Sequence, residues 1–432
     1  MKKKIIVKGP FLSRSGYGEQ ARFALRSLRL KEDMFDIYLM NIRWGKTGWV
    51  WEDNEERRWI DERIKQTVVY IEEFRKQNLV PHFDISLQIT IPQEWEKVAA
   101  VNIGYTAGTE STKLSAQWLD KSRMMDKIIV PSNHAKHAFD NTEYKAQNPQ
   151  TGEVIDFKNT TPVEVVPFPV RVHEPDPDFK LDLKDDFNFL CNAQWSARKN
   201  LENTVKWWLE EFWDQEVGLI IKGNLANNSY VDREHAEAKL KSLLKEYDNV
   251  KCSVYLLHGD LSENELSALY QHDKVKAFIN LAHGEGFGLP VFEAAYYGLP
   301  VIAPDWGGIV DFLYAPRKDK KGKIRNRPFF LSVDYDIKQV QKEAIWEPVI
   351  IKDSMWCFPK QGSYKMKLRD LIKSHDDHKR RSEQLKENIL KEFESEKQHN
   401  KFISVLMDYV APSAEDEDVD EMFNSLIEEL QT

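Results

Sequence analysis

Short apolar runs and amphipathic stretches alternate along most of the chain. Ile5 to Lys8 reads as a buried strand, Glu19 to Leu28 as a helix and Phe35 to Met40 as a second strand. A tryptophan-rich loop follows, then a polar helix from roughly Glu55 to Asn78, then strands at Phe83 to Ile89, Ala99 to Gly104 and Lys127 to Val130. Such alternation predicts a parallel sheet with helices on both faces. The polar stretch Asn141 to Thr160 reads as an insertion, with a hairpin around Thr151-Gly152.

Four prolines in the eleven residues from Pro167 to Pro177 predict an extended connector. The pattern then restarts: strand Phe187 to Cys191, helix Asn200 to Phe212, strand Gly218 to Lys222, helix Asp232 to Leu244 and strand Ser253 to Leu257. Ser262-Glu263-Asn264-Glu265 has the spacing of a capping box and starts a helix that ends near Tyr270. A long helix is predicted from about Arg380 to Tyr409.

The densest chemical signal is the run His283-Gly284-Glu285-Gly286-Phe287-Gly288-Leu289-Pro290-Val291-Phe292-Glu293-Ala294. Apolar runs before it (Val275 to Leu281) and after it (Leu299 to Ala303) frame a strand, a glycine loop and a helix start. Pro290 suits a first helical turn, where its missing N–H costs nothing. Unpaired amides beside Gly286 and Gly288, at the positive end of a helix, suit a phosphate or the polyol face of a sugar. Glu285 on the loop and Glu293 one turn into the helix can face one ligand. Paired carboxylates also hydrolyse glycosides, but from opposite sides of the bond at roughly 5 to 10 Å. Two acids on one short element fit a grip on hydroxyls better. The plain alternative is a loop carboxylate plus a solvated helix face.

From Glu285 through Asp305-Trp306-Gly307-Gly308 the chain resembles the nucleotide-sugar site of retaining GT-B glycosyltransferases, family 4 in particular. The resemblance implies an α/β fold of two Rossmann-like parallel-sheet domains facing across a cleft. On that plan residues 1–170 form the acceptor-side domain and 171–385 the nucleotide-sugar domain. Residues 386–411 are then a helix packing back across both, and 412–432 an acidic tail with a short amphipathic segment. The resemblance gives Glu285 to the donor sugar and Glu293 to the ribose. It gives the amides of Gly286, Phe287 and Gly288, with Leu289 beside them, to the sugar and diphosphate. No metal and no cofactor is implied; the nucleotide sugar is a substrate. Retention would follow from same-face attack, the departing phosphate taking the acceptor proton.

In Gln194-Trp195-Ser196-Ala197-Arg198-Lys199-Asn200-Leu201, Lys199 matches the lysine of a diphosphate-neutralising pair, while Gln194 occupies the arginine's place. A leaving diphosphate needs its charge stabilised, so either Arg198 substitutes or Gln194 donates neutral hydrogen bonds. Otherwise the two cations simply begin a solvated helix. Ser15-Gly16-Tyr17-Gly18 lies too far past its strand for a dinucleotide fingerprint. In the family a glycine loop at this place approaches the donor phosphates. Where members often carry a histidine, this chain has Tyr105-Thr106-Ala107-Gly108-Thr109-Glu110, which makes Thr106, Thr109 and Glu110 acceptor-side candidates. Trp44 joins them; Trp44, Trp49, Trp51 and Trp59 offer faces for sugars or extruded bases, or for packing.

At 432 residues, 41 % hydrophobic and 30 % charged, the chain has globular composition and length for two domains. No apolar run approaches the ~18 residues of a membrane span, and none at the start suffices for a signal peptide. Three scattered cysteines fit a reducing, cytoplasmic setting. Net charge is −9, yet eight acids and no base lie between Pro412 and Thr432, so the body is nearly neutral. Beyond the acids, Met422, Phe423, Leu426, Ile427 and Leu430 form an apolar stripe suited to a protein partner or to this chain itself. Arg317 to Arg327 holds seven cations in eleven residues, a candidate contact for nucleic-acid phosphates near the cleft mouth. The Ser-Gly-Tyr-Gly opening, the tryptophan loop and Met355-Trp356-Cys357 also resemble glycosyltransferases of large tailed phages. That implies 5-hydroxymethylpyrimidine DNA as one acceptor and the host cytoplasm as location, beside carbohydrate, lipid or protein acceptors. A GT-B-like epimerase or phosphorylase, a nicotinamide oxidoreductase built on Gly16 and Gly18, and a non-catalytic binding module are the other classes left open.

Overall fold

A computed structural model describes residues 2–147, 152–247, 249–319 and 321–410. The first half runs β1 (Lys3–Gly9), α1 (Gly16–Arg29), β2 (Phe35–Asn41), α2 (Glu55–Lys76), β3 (Ile85–Ile89), β4 (Val101–Tyr105), α3 (Ala116–Ser122), β5 (Lys127–Val130) and α4 (Asn133–Asn141). An antiparallel hairpin of β6 (Glu143–Gln147) and β7 (Val154–Lys158) stands outside the sheet, and β8 (Val163–Val165) returns to its edge. The sheet is parallel throughout, in the order β2-β1-β3-β4-β5-β8. Every residue of β3 is buried, as expected of a parallel strand covered on both faces.

The second half repeats the plan with β9 (Asn188–Asn192), α5 (Leu201–Phe212), β10 (Gly218–Lys222), α6 (Tyr230–Leu244), β11 (Ser253–Leu257), α7 (Glu263–Gln271), β12 (Val275–Ile279), α8 (Leu289–Tyr296), β13 (Val301–Pro304) and α9 (Val310–Leu313). After the hairpin β14 (Tyr314–Lys318) and β15 (Ile324–Pro328), β16 (Leu331–Val333) completes a second parallel sheet, β11-β10-β9-β12-β13-β16. The capping box at Ser262 and Glu265 forms at the start of α7. The described residues of the cationic segment fall on this hairpin, with Arg317 directly opposite Arg325. A second antiparallel pair, β17 (Tyr335–Gln339) with β18 (Met355–Pro359), escaped the sequence reading.

The helix expected from Arg380 to Tyr409 is broken in two. After α10 (Gln361–Lys373), α11 (His375–Glu392) packs on the second half, and α12 (Ser395–Met407) crosses to the first. Phe393 explains the break: its ring lies 5.3 Å from that of Phe292 and its carbonyl accepts a hydrogen bond from Val170 at 2.8 Å. Beyond it, Phe402 packs on Phe23 and Tyr105 at 5.5 and 5.6 Å. The acidic tail and its apolar stripe lie outside the described residues. In both sheets the carboxyl ends of the central strands open toward the other half, where ligands bind in open α/β sheets.

Candidate active site between the two halves

Between the halves lies a cavity of about 660 Å³ lined from both sides, a size suited to a substrate. The loop after β9 and the loop after β12 deliver its charged centre. Glu285, 6 % exposed, accepts from Lys199 Nζ at 2.6 Å, from Asn280 Nδ2 at 3.1 Å and from Arg198 at 3.3 Å. Burial alone would raise its pKa, but the Lys199 and Arg198 charges hold it to about 2. Arg198 also reaches Glu110, on the other half, at 3.5 Å. Asn200, at φ 52°, makes the turn from this loop into α5, and its side chain donates to the Leu281 carbonyl.

Glycines bring the backbones together. A Cβ at Gly284 would stand 1.9 Å from the Glu110 carbonyl oxygen. Gly288 enters α8 at φ 90°, a conformation that side chains resist. Among the described residues, the amides of Gly286, Phe287, Gly288 and Leu289 donate no hydrogen bond. They therefore leave a group of donors at the helix N-terminus, beside the cavity.

Glu293 lines the same cavity farther along and accepts from the Tyr270 hydroxyl at 2.9 Å. Burial dominates here and pushes its pKa up to about 7. The two acids thus face one space with opposite electrostatics, one locked ionised and one poised to titrate.

Gly16, Tyr17, Trp44, Glu110, Gln194, Phe287 and Leu289 also line the cavity. Trp44 packs on Tyr17 with ring centroids 4.2 Å apart. Gln194 donates to the Leu225 carbonyl at 2.7 Å, so Arg198, not Gln194, stands with Lys199 on the carboxylate. Gly18 does not line the cavity: it sits in the first turn of α1, where a Cβ would meet the Ser13 carbonyl at 1.9 Å. Thr106 and Thr109 are buried away from it, Thr106 bonded to the Tyr17 hydroxyl and Thr109 to Ser111, which removes them as direct acceptor contacts. Among the described residues, none of the β14–β15 hairpin lines the cavity, contrary to the expectation of a basic segment at its mouth.

Several lining or supporting groups were missed. Asn280 follows a buried strand, the position where a polar residue signals a site. Asp232 accepts the amides of Leu225, Ala226 and Asn227 and pairs with His258 at 2.8 Å, shaping one cavity wall. Arg14 crosses from the first half to the Leu261 carbonyl at 3.2 Å and to Asp260 at 3.6 Å. Neither lies in a recognisable run.

Residues 175–315, which contain Lys199, Glu285 and Glu293, match the family model for glycosyl transferases group 1. No curated protein sequence matches the chain. Solved structures do. Sucrose-phosphate synthase from Thermosynechococcus elongatus superposes with a TM-score of 0.59 at 12 % identity, covering 95 % of this chain and 100 % of that one. Anabaena HepE in complex with UDP and glucose gives 0.57 at 11 %, covering 94 % and 100 %. A UDP-forming trehalose-phosphate synthase from Burkholderia xenovorans gives 0.56 at 11 %, covering 95 % and 100 %. The fold is GT-B. In this GT-B chain the second sheet carries most of the charged centre, and the first contributes Glu110, Tyr17 and Trp44 across the cleft.

Proposed function

We propose that this chain is a retaining glycosyltransferase that moves a sugar from a nucleoside-diphosphate sugar to a hydroxyl acceptor without a metal. The observation that carries the reading is the cluster of Lys199, Arg198 and Glu285 beside four unbonded amides in the interdomain cavity. A donor diphosphate would take Lys199, Arg198 and the amides, which supply the positive charge its departure needs. Glu285, relieved of part of its pairing, would accept from the sugar hydroxyls, and Glu293 from the ribose. The acceptor oxygen then bonds to the anomeric carbon as the carbon–phosphate-oxygen bond breaks. The acceptor proton passes to the leaving phosphate on the same face. Glu285, held to about 2, is a poor base and serves here as an acceptor of hydrogen bonds.

HepE was solved with UDP and glucose, so UDP sugars come first in a thermal-shift panel that also holds GDP and ADP sugars. A DNA acceptor bearing 5-hydroxymethylpyrimidines would meet the cationic β14–β15 hairpin outside the cavity, through its phosphates. Mass spectrometry of such DNA and of saccharides, incubated with the best donor, decides between acceptor classes. Donor binding by none of the nucleotide sugars would overturn the transferase reading, and mass gain on saccharide alone would retire DNA.

A further inference from the structure

The segment 335–359 leaves the second half, forms the β17–β18 pair and touches both sides of the cleft. On one side it is clipped to the loop that carries Glu285. The Cys357 amide donates to the His283 carbonyl at 3.0 Å, the His283 Nδ1 meets the Cys357 carbonyl at 2.7 Å, and Trp356 stacks on the His283 ring at 5.2 Å. On the other side it is fastened to the first half by a reciprocal pair at one residue. The Thr112 amide donates to the Met355 carbonyl at 2.8 Å, and the Met355 amide donates to Thr112 Oγ1 at 2.9 Å. Val349 adds an apolar contact to the first half's cluster around Trp95 and Trp118.

Thr112 lies two residues after Glu110, whose carbonyl abuts Gly284 and whose carboxylate meets Arg198 at 3.5 Å. We propose that segment 335–359 is a strap that fixes the docking of Glu110 on the Glu285 loop, with Thr112 as its fastening and a positioning residue for sugar transfer. Its catalytic meaning rests on the transferase reading above; the fastening itself does not. The argument is geometric. Thr112 does not line the interdomain cavity, yet among the described residues its hydroxyl and amide are the two hydrogen-bonding links between the strap and the segment that bears Glu110. Losing one loosens the strap where it meets the acceptor side while leaving the donor-side groups Lys199 and Glu293 in place.

The test compares Thr112→Val, which keeps shape and removes the acceptor, with Thr112→Ser, which keeps the hydroxyl. Hydrogen exchange should quicken roughly threefold to tenfold at the amides of Met355 and Cys357 in the valine variant and stay near wild type in the serine variant. With a donor in hand, kcat should fall roughly tenfold to a hundredfold in Thr112→Val, with nucleotide affinity unchanged and activity restored in Thr112→Ser. Unchanged exchange in the valine variant overturns the strap, as does nucleotide affinity that falls in step with kcat. Wild-type protein that moves no sugar while exchange still responds overturns the transferase reading and leaves the fastening standing.

Discussion

Glu285 and Glu293 show how one cavity shifts the pKa of two identical side chains in opposite directions. Glu285 is the shared partner of two buried cations, so Glu285→Ala removes a charge that Lys199 and Arg198 need. The variant should lose about 3 kcal/mol in chemical denaturation. It should also gain a larger thermal shift from a nucleoside diphosphate than wild type does, because the anion re-pairs the cations. Transfer should fall roughly 100- to 1,000-fold. Glu293 behaves in the opposite sense. Its folded pKa of about 7 lies above the ordinary carboxylate range. Its contribution to stability is therefore complete below about pH 4 and is lost as pH rises through 7, in total about 3 kcal/mol. On the proposed reading ribose hydroxyls donate to Glu293, so nucleotide binding favours its ionised form. Nucleotide affinity should rise between pH 6 and 8, with proton release measurable by calorimetry in buffers of different ionisation enthalpy. Glu293→Gln should flatten both profiles.

Elements reveal why much of this fold was legible and part of the site was not. Parallel strands such as β10 and β13 are largely apolar runs, which sequence shows directly, and Ser262 and Glu265 announce the start of α7. The break at Phe393 has no glycine or proline to mark it and comes from tertiary packing. The strands of the strap are short and half-exposed, so they carry little periodic signal. In the site, the Glu285 loop is one linear segment and was readable, whereas the Glu110–Arg198 contact exists only after the halves dock. Thr106 and Thr109 bond to Tyr17 and Ser111 and do not line the cavity, because proximity to a strand end does not say which way a side chain turns. Gly284 marks where linear and docked information meet. Gly284→Ala places a methyl group against the Glu110 carbonyl, so the halves must separate or the loop must shift. It should destabilise by about 1–3 kcal/mol and depress turnover more than nucleotide binding. Equal losses in titrations and initial rates would show the loop moving and the halves staying in place.

The whole molecule is tied together by a chain crossing. α12 follows the second half in sequence but belongs to the core of the first, with Phe402 fully buried between Phe23 and Tyr105. Phe402→Ala should cost about 3–5 kcal/mol, and where that cost falls is informative. It weakens the first half and the tie, leaving the β9–β16 sheet and its core untouched. Scanning calorimetry of the variant should therefore resolve two transitions, the earlier from the first half, since all-or-none melting no longer holds once the halves uncouple. Lys199, Glu285 and Glu293 all belong to the second half. A nucleoside diphosphate should accordingly raise the later transition, by the logarithmic dependence on ligand concentration, and leave the earlier one in place. A single transition that shifts as a unit with nucleotide would mean that the cleft contacts, Arg14 on Leu261 and Thr112 on Met355 among them, hold the halves together without α12.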